Sequence, residues 1–135
     1  MKKILSHFLL EHPRAASALN ASNQIIGKVN VHDVDAQILA LIRNAQQCIS
    51  SPLVRKAKAY PRFAIGASTF SKKVAAGELP QPAYRDNRIT AYREIDLDVM
   101  LAAQAIATRN GFMLNARAVV AALSVPFDAT QGVNA

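Results

Sequence analysis

The most informative pattern in the chain lies in residues 63–82, FAIGASTFSKKVAAGELPQP. Phe70 and Val74 stand four positions apart, so on a helix they share one face. This spacing predicts a helix over residues 67–76 that buries both side chains. Gly77 is expected to end the helix, because glycine readily adopts the left-handed conformation that follows a helix C-terminus.

The segment after Gly77 is predicted to form a β-hairpin. Pro80-Gln81-Pro82 excludes a further helical turn, since proline lacks a backbone N–H and has a fixed φ. Residues 83–85 and 88–92 are expected to form the two arms, with Asp86-Asn87 as the turn between them.

Two helices are predicted downstream of the hairpin. The first runs from Glu94 to Arg109, carries acidic residues in its first turn, which a helix N-terminus favours, and ends at Asn110-Gly111. Asn115 is the expected cap of the second, over residues 116–123, which stops before Pro126 and leaves a frayed tail. The inward side chains of the first are expected to be Ile95, Val99, Ala102 or Ala103, and Ile106.

Helices are also predicted upstream of residue 63. A short cationic helix is expected over residues 53–60, with Ser51 as its cap and Pro52 at its first position; Pro61 begins another turn. A longer helix is predicted from Asp33, its cap, to about Cys48. Its apolar face comprises Val34, Ile38, Leu39, Leu41, Ile42 and Ile49.

The N-terminal residues suggest a buried amphipathic helix. Ile4, Phe8 and Leu9 lie on one helical stripe that Pro13 bounds. His7 and Glu11 interrupt the apolar run, so we interpret it as part of the fold and not as a signal peptide, and we expect a cytoplasmic protein. Residues 15–23 are expected to be a short helix or a loop, and residues 25–31 a loop or a short strand.

Composition limits the class of protein. The chain has 135 residues, 51% of them apolar, which is enough to bury a core and excludes a wholly disordered protein. Cys48 is the single cysteine, so a disulfide framework and a cysteine-rich zinc site are excluded. The longest apolar stretch, residues 118–127, is interrupted by Ser124 and Pro126 and cannot span a bilayer.

Positive charge is concentrated in the middle of the chain. The sequence has a net charge of +7. Residues 51–93 contain nine basic and two acidic residues, whereas the remaining segments contain seven of each. The whole excess therefore lies in less than a third of the chain, which favours a polyanionic partner such as nucleic acid.

The central motif resembles the DNA-binding core of the AlpA-like regulators and excisionases, relatives of the MerR-type winged helix-turn-helix. In that family Ser-Thr opens the recognition helix, here Ser68-Thr69, and Gly-x-aromatic/Leu-Pro-x-Pro follows, here residues 77–82. A hairpin and an aromatic-Arg-Glu sequence come next, here Tyr92-Arg93-Glu94, with Tyr92 where the family usually carries Trp. The resemblance covers about residues 53–105 and implies binding to duplex DNA.

The same residues suggest how DNA would be contacted. With Phe70 and Val74 buried, the exposed face of the helix would enter a major groove, and the hydroxyls at its start would bond phosphates. The hairpin would contact the backbone or a minor groove, and Arg62, like Arg55, Lys56 and Lys58, would hold flanking phosphates. The candidate DNA contacts are Arg62, Ser68, Thr69, Ser71, Lys72, Lys73, Tyr84, Arg85, Asn87 and Arg88. The alternative for each lysine is a solvated surface, and Phe63 and Tyr92 are interpreted as core residues.

Elsewhere the polar residues suggest no catalytic site. Asp33 and Asp35 follow His32, but neighbouring residues on a helix point in different directions, so we do not expect a metal site or an acid–base pair. Cys48 has no histidine context and is expected to be a packed thiol. We expect no enzymatic activity, no metal and no cofactor.

These observations predict a mainly α fold with a small β-hairpin wing. Residues 1–50 form a helical extension that is a candidate dimerisation surface, residues 51–109 a winged helix-turn-helix core, and residues 110–135 a C-terminal helix and tail. The predicted function is sequence-specific binding of double-stranded DNA, as a homodimer or a DNA-bound array, by a transcriptional regulator of a prophage or mobile element. The alternatives are an excisionase, and a protein-interaction adaptor that keeps the shape without binding DNA.

Overall fold

Helices and short antiparallel strands alternate along the chain. The computed structural model describes residues 4–11 and 30–125. In order, the elements are β1 (Leu9–Glu11), α1 (Val31–Gln47), β2 (Leu53–Arg55), α2 (Lys56–Ala59), a 3₁₀ helix (Tyr60–Phe63), α3 (Ala67–Ala75), β3 (Tyr84–Arg85), β4 (Thr90–Arg93), α4 (Glu94–Arg109), β5 (Phe112–Leu114) and α5 (Ala116–Leu123). The described residues form a mixed α/β structure of helices and small antiparallel sheets, which is compatible with the predicted α-rich class with a small hairpin. The predictions for Pro13, for residues 15–29 and for the end of the chain from Pro126 lie outside the described residues.

The central helix is α4, which packs against α1, β5 and α5. Its bounds are those predicted, and Gly111, with φ +78°, follows its C-cap Asn110. Val99 and Ala103 are buried as expected, together with Asp96, Leu97, Met100 and Ala107, whereas Ile95 and Ile106 are half-buried. Because elements pack on more than one side of α4, its buried positions are not confined to a single stripe.

Helix α1 covers one side of α4. It begins three residues earlier than predicted, because its N-cap is Asn30 and not Asp33. The Asn30 side chain accepts the His32 N–H at 2.8 Å, and Asp33 lies in the first turn. Four side chains are buried: Val34, Ile38, Ile42 and Ala45. Ile49 was expected on this face but lies beyond the helix end and is 79% exposed.

The N-terminal helix prediction is wrong. Leu9–Glu11 form β1, which pairs antiparallel with β5, with Leu9 opposite Leu114. A carboxylate oxygen of Asp35 on α1 accepts both the Ser6 hydroxyl and the Phe8 N–H, at 2.8 and 2.9 Å, and so holds the preceding turn. A short apolar run is compatible with a helix or a strand. Here the pairing with β5, about a hundred residues away in the sequence, selects the strand.

The prediction for residues 53–60 is also partly wrong. Residues 53–55 form β2, in which Val54 is buried and its neighbours are exposed, and only residues 56–59 are α-helical. Ser51 does not cap this helix. Its Oγ instead accepts the Ile95 N–H at 3.0 Å, and the Pro52 carbonyl accepts the Glu94 N–H at 2.8 Å, so this segment caps α4. Pro61 begins the 3₁₀ turn as expected.

A three-stranded sheet has the order β2-β4-β3. Val54 lies opposite Tyr92, and Arg85 opposite Thr90. The hairpin was predicted with a two-residue turn, but the strands end earlier and residues 86–89 form the loop, closed by an Asp86 N–H bond to the Ile89 carbonyl at 2.8 Å. Arg88 therefore belongs to the loop and not to an arm.

Arg93 joins the sheet, α4 and α1. It is the last residue of β4, and its side chain is 12% exposed. The guanidinium donates to the Ala45 carbonyl at 2.9 Å and to the Cys48 carbonyl, both at the end of α1, and pairs with the Asp96 carboxylate at 3.3 Å. Since α1 has no basic residue in its last turn, Arg93 supplies from outside the cation that a helix C-terminus favours.

Replacing Arg93 should destabilise the whole fold. Arg93→Met keeps the apolar stem but leaves the α1 carbonyls without their donor and the buried Asp96 carboxylate without its cation. We expect the free energy of unfolding to fall by about 3 kcal/mol, measured by urea denaturation followed by circular dichroism. Arg43→Met, at an exposed position of α1, is the matched control and should change it by less than about 0.5 kcal/mol. Equal stability of the two variants would contradict this assignment.

The Asp96 carboxyl should make stability depend on pH. Burial raises its pKa above the ordinary value of 3.8, and Arg93 opposes this effect. Because the folded chain holds the proton more tightly than the unfolded chain, the contribution of Asp96 to stability is largest below pH 3.8 and is lost as the pH rises through the folded pKa. Asp96→Asn cannot ionise, so the stability of the wild type relative to this variant should fall as the pH rises from below 3.8 through the folded pKa. A relative stability that increased with pH would show that pairing with Arg93 outweighs burial.

Candidate nucleic-acid interface

Helix α3 is held by its two apolar side chains. Phe70 is fully buried between Phe63, at a ring distance of 6.2 Å, and Tyr92, which it meets edge to face at 5.2 Å. Val74 is 8% exposed. Phe63 and Tyr92 are therefore packing residues, as the sequence predicted, and burial raises the pKa of the Tyr92 phenol while Arg85 opposes the shift.

Both ends of α3 are set by local backbone geometry. Ala64 adopts a left-handed conformation, φ +58°, in the turn between the 3₁₀ helix and α3. At the other end Gly77 has φ +77°, as predicted, and its N–H bonds the Val74 carbonyl while the Glu78 N–H bonds that of Lys73. This is the Schellman arrangement, which satisfies the last carbonyls of the helix and stops it.

The remaining surface of α3 is exposed to solvent. All five of its predicted contact residues lie on it: Ser68, Thr69, Ser71, Lys72 and Lys73. Lys72 lies opposite the buried pair on the helical wheel. Lys73 pairs with Glu78 at 3.9 Å, at one flank of the helix, and Ser71 accepts a hydrogen bond from the Lys56 ammonium at the other flank. The structure thus joins α2 to the same cationic surface.

The hairpin also presents its predicted residues to solvent. Arg85, Asn87 and Arg88 are exposed, and Tyr84 is 46% exposed. Within the loop, an Asp86 carboxylate oxygen accepts the Asn87 N–H at 2.6 Å. Because β4 carries Tyr92, the contact of that ring with Phe70 packs the hairpin against α3.

Two arginines of residues 51–93 are engaged within the chain. Arg62 pairs with Glu94 at 2.9 Å and with Asp98 at 3.2 Å, so a phosphate at Arg62 would compete with two carboxylates. The Arg93 side chain is 12% exposed and bonds the end of α1. Neither arrangement is visible in the sequence, because the partners come from elements placed only by the tertiary fold. Arg55 and Lys58 are exposed.

The described parts of the chain contain neither a metal site nor a membrane-spanning helix. Within residues 4–11 and 30–125, no cluster of three or more His, Cys, Asp or Glu side chains could hold a metal ion. The Asp35 carboxylate accepts hydrogen bonds from the Ser6 hydroxyl and the Phe8 N–H. No helix in these residues has the length and apolar character needed to cross a membrane.

Comparison of the chain with protein-family models, curated proteins and solved structures found no match.

Proposed function

We propose that this protein binds double-stranded DNA through α3, with the β3–β4 hairpin as a wing. The observation that carries the proposal is that α3 buries only Phe70 and Val74 and leaves two lysines and three hydroxyl side chains in solvent. Such a helix presents its opposite face to solvent, and a major groove, about 12 Å wide, admits an α-helix.

The order of elements supports this proposal. A short helix, α2 with its 3₁₀ continuation, is followed by a turn at Ala64, by α3 and then by a hairpin. This is the order of a winged helix-turn-helix, in which the second helix contacts base edges and the hairpin contacts the sugar-phosphate backbone. The contact of Phe70 with Tyr92 would keep helix and wing in a constant relation during binding.

The distribution of charge supports it as well. Exposed cations lie on α3, on the β3–β4 hairpin and around α2: Arg55, Lys58, Lys72, Lys73, Arg85 and Arg88. Among the described residues only Lys73 of this set makes an ion pair, at the long distance of 3.9 Å. Cations without intramolecular partners are available to phosphates, whose contact releases condensed counterions.

For the biological role we propose a transcriptional regulator of a prophage or mobile element, with an excisionase as the alternative. This assignment follows from the resemblance to the AlpA-like family. A single small module rarely binds DNA tightly, so we propose a homodimer or an array on DNA. Since the apolar face of α1 is buried within the chain, dimer contacts would use other surfaces than that face.

A salt titration separates DNA binding from the adaptor alternative. Fluorescence anisotropy with a random duplex should show an affinity that falls at least about tenfold between about 50 and about 200 mM salt, because phosphate contacts release counterions. Footprinting on the DNA next to the gene would then give the site and its repeat spacing. No binding at the lower salt concentration would remove the proposal and favour an adaptor.

Substitutions on α3 test which surface contacts DNA. Lys72→Ala and Lys73→Ala should each weaken DNA binding by about tenfold and reduce its salt dependence, with a melting temperature within about two degrees of the wild type. Arg43→Ala removes the same charge from α1 and should leave the affinity nearly unchanged. If both lysine variants bound like the wild type, α3 would not be the contacting helix.

A further inference from the structure

A solvent-open groove lies beside the C-terminal end of α3. Its volume is about 740 Å³, within the range of about 300–1,000 Å³ that small-molecule sites occupy. Five parts of the fold line it: the 3₁₀ helix with the turn after it, the end of α3, the middle of α4, the β1–β5 pair and the start of α5. The groove thus adjoins both the proposed DNA-contacting helix and the elements outside it.

Most of the side chains that line the groove are apolar, and we call these its floor. Phe63, Leu79, Met100, Leu101 and Leu114 contribute to it, and Met100, Leu79 and Leu114 are themselves buried. Met113 lines it too. Methionine side chains are unbranched and adjust to ligands of irregular shape, so the floor suits a flexible apolar body.

Three cations and one carboxylate lie around this floor: Arg62, Lys73, Arg117 and Glu78. Arg62 is held by two α4 carboxylates, and Lys73 meets Glu78 only at 3.9 Å. Arg117, in the first turn of α5, is exposed and has no ion-pair partner within residues 4–11 and 30–125. An apolar floor beside an available guanidinium complements an amphipathic anion.

We propose that this groove binds a free medium-chain carboxylic acid anion, with its chain on the apolar floor and its carboxylate between Arg117 and Lys73. The juxtaposition that carries this inference is a groove of 740 Å³ that is lined mostly by apolar side chains and that has both Arg117 of α5 and Lys73 of α3 in its lining.

Such a ligand would regulate DNA binding, a consequence that rests on the proposed function. Lys73 lies on the flank of α3 and also on the groove. A carboxylate at its ammonium would remove a cation from the DNA-contacting surface, so ligand and DNA oppose each other. By linkage, bound DNA would lower the affinity for the ligand by the same factor.

Direct titration tests the site without DNA. The chain has no tryptophan, so Gln104→Trp, at an exposed position lining the groove, adds a fluorescence reporter. Decanoate, added well below its micelle concentration, should change this fluorescence saturably, and calorimetry on the unmodified chain should give the same affinity. 1-Decanol, which has the same chain without the charge, should bind at least about fivefold more weakly.

The cation is tested by a matched pair of variants. Arg117→Gln should lower the affinity for decanoate about tenfold, because a charge-assisted bond is lost. Arg109 is exposed and lies outside the groove, so Arg109→Gln should leave this affinity unchanged. Absence of decanoate binding at about 1 mM would overturn the site. So would decanol binding as tightly as decanoate together with an Arg117→Gln variant that binds decanoate like the wild type.

A second measurement tests the regulation. Saturating decanoate should lower the affinity of the wild type for duplex DNA several-fold, and should act less on Arg117→Gln at the same concentration. If decanoate binds and DNA affinity is unchanged, the coupling is overturned. If the chain binds no DNA at all, the proposed function fails, and the titration without DNA still decides whether the groove is an anion site.

Discussion

Arg93 provides the interaction on which the arrangement of the helices depends. It stands where β4 ends and α4 begins, and its guanidinium bonds two carbonyls at the end of α1 and the buried Asp96 carboxylate. A buried charge is tolerated only when it is paired and hydrogen-bonded, so these contacts must form together. They place α1 against α4 at one definite position, and the hairpin strand that carries Arg93 is placed with them.

The orientation of α3 follows from that placement. Tyr92, the neighbour of Arg93 on β4, points to the opposite face of the sheet and packs against Phe70. On the other side Arg62 ties the 3₁₀ helix to Glu94 and Asp98 on α4. Acidic residues at the start of α4 thus neutralise a cation that the sequence assigned to DNA, while the cations of α3 and the hairpin stay in solvent. The same packing leaves the groove between α3, α4 and α5.

Prediction from the sequence succeeded where local signals were strong. The bounds of α4 and α5, the burial of Phe70 and Val74, and the role of Gly77 all follow from apolar spacing and from the end signals of helices. It failed at β1 and β2, which are three residues each, and missed β5. Segments of that length contain too little periodicity to distinguish a strand from a helix, and their pairing depends on distant residues. Exposure of the candidate contacts on α3 and the hairpin was predictable, whereas the pairing of Arg62 and the burial of Arg93 were not.

Local sequence thus established α3, α4 and α5 with their ends, and the concentration of positive charge in residues 51–93. These properties depend on neighbours within a few positions, through backbone conformation and helical spacing. Tertiary structure decided which cations stay available and which are neutralised, that Ser51 caps α4, and that Arg117 and Lys73 border one groove. Ion pairing and burial depend on separations in space between residues far apart in the chain, and only the folded backbone sets those separations.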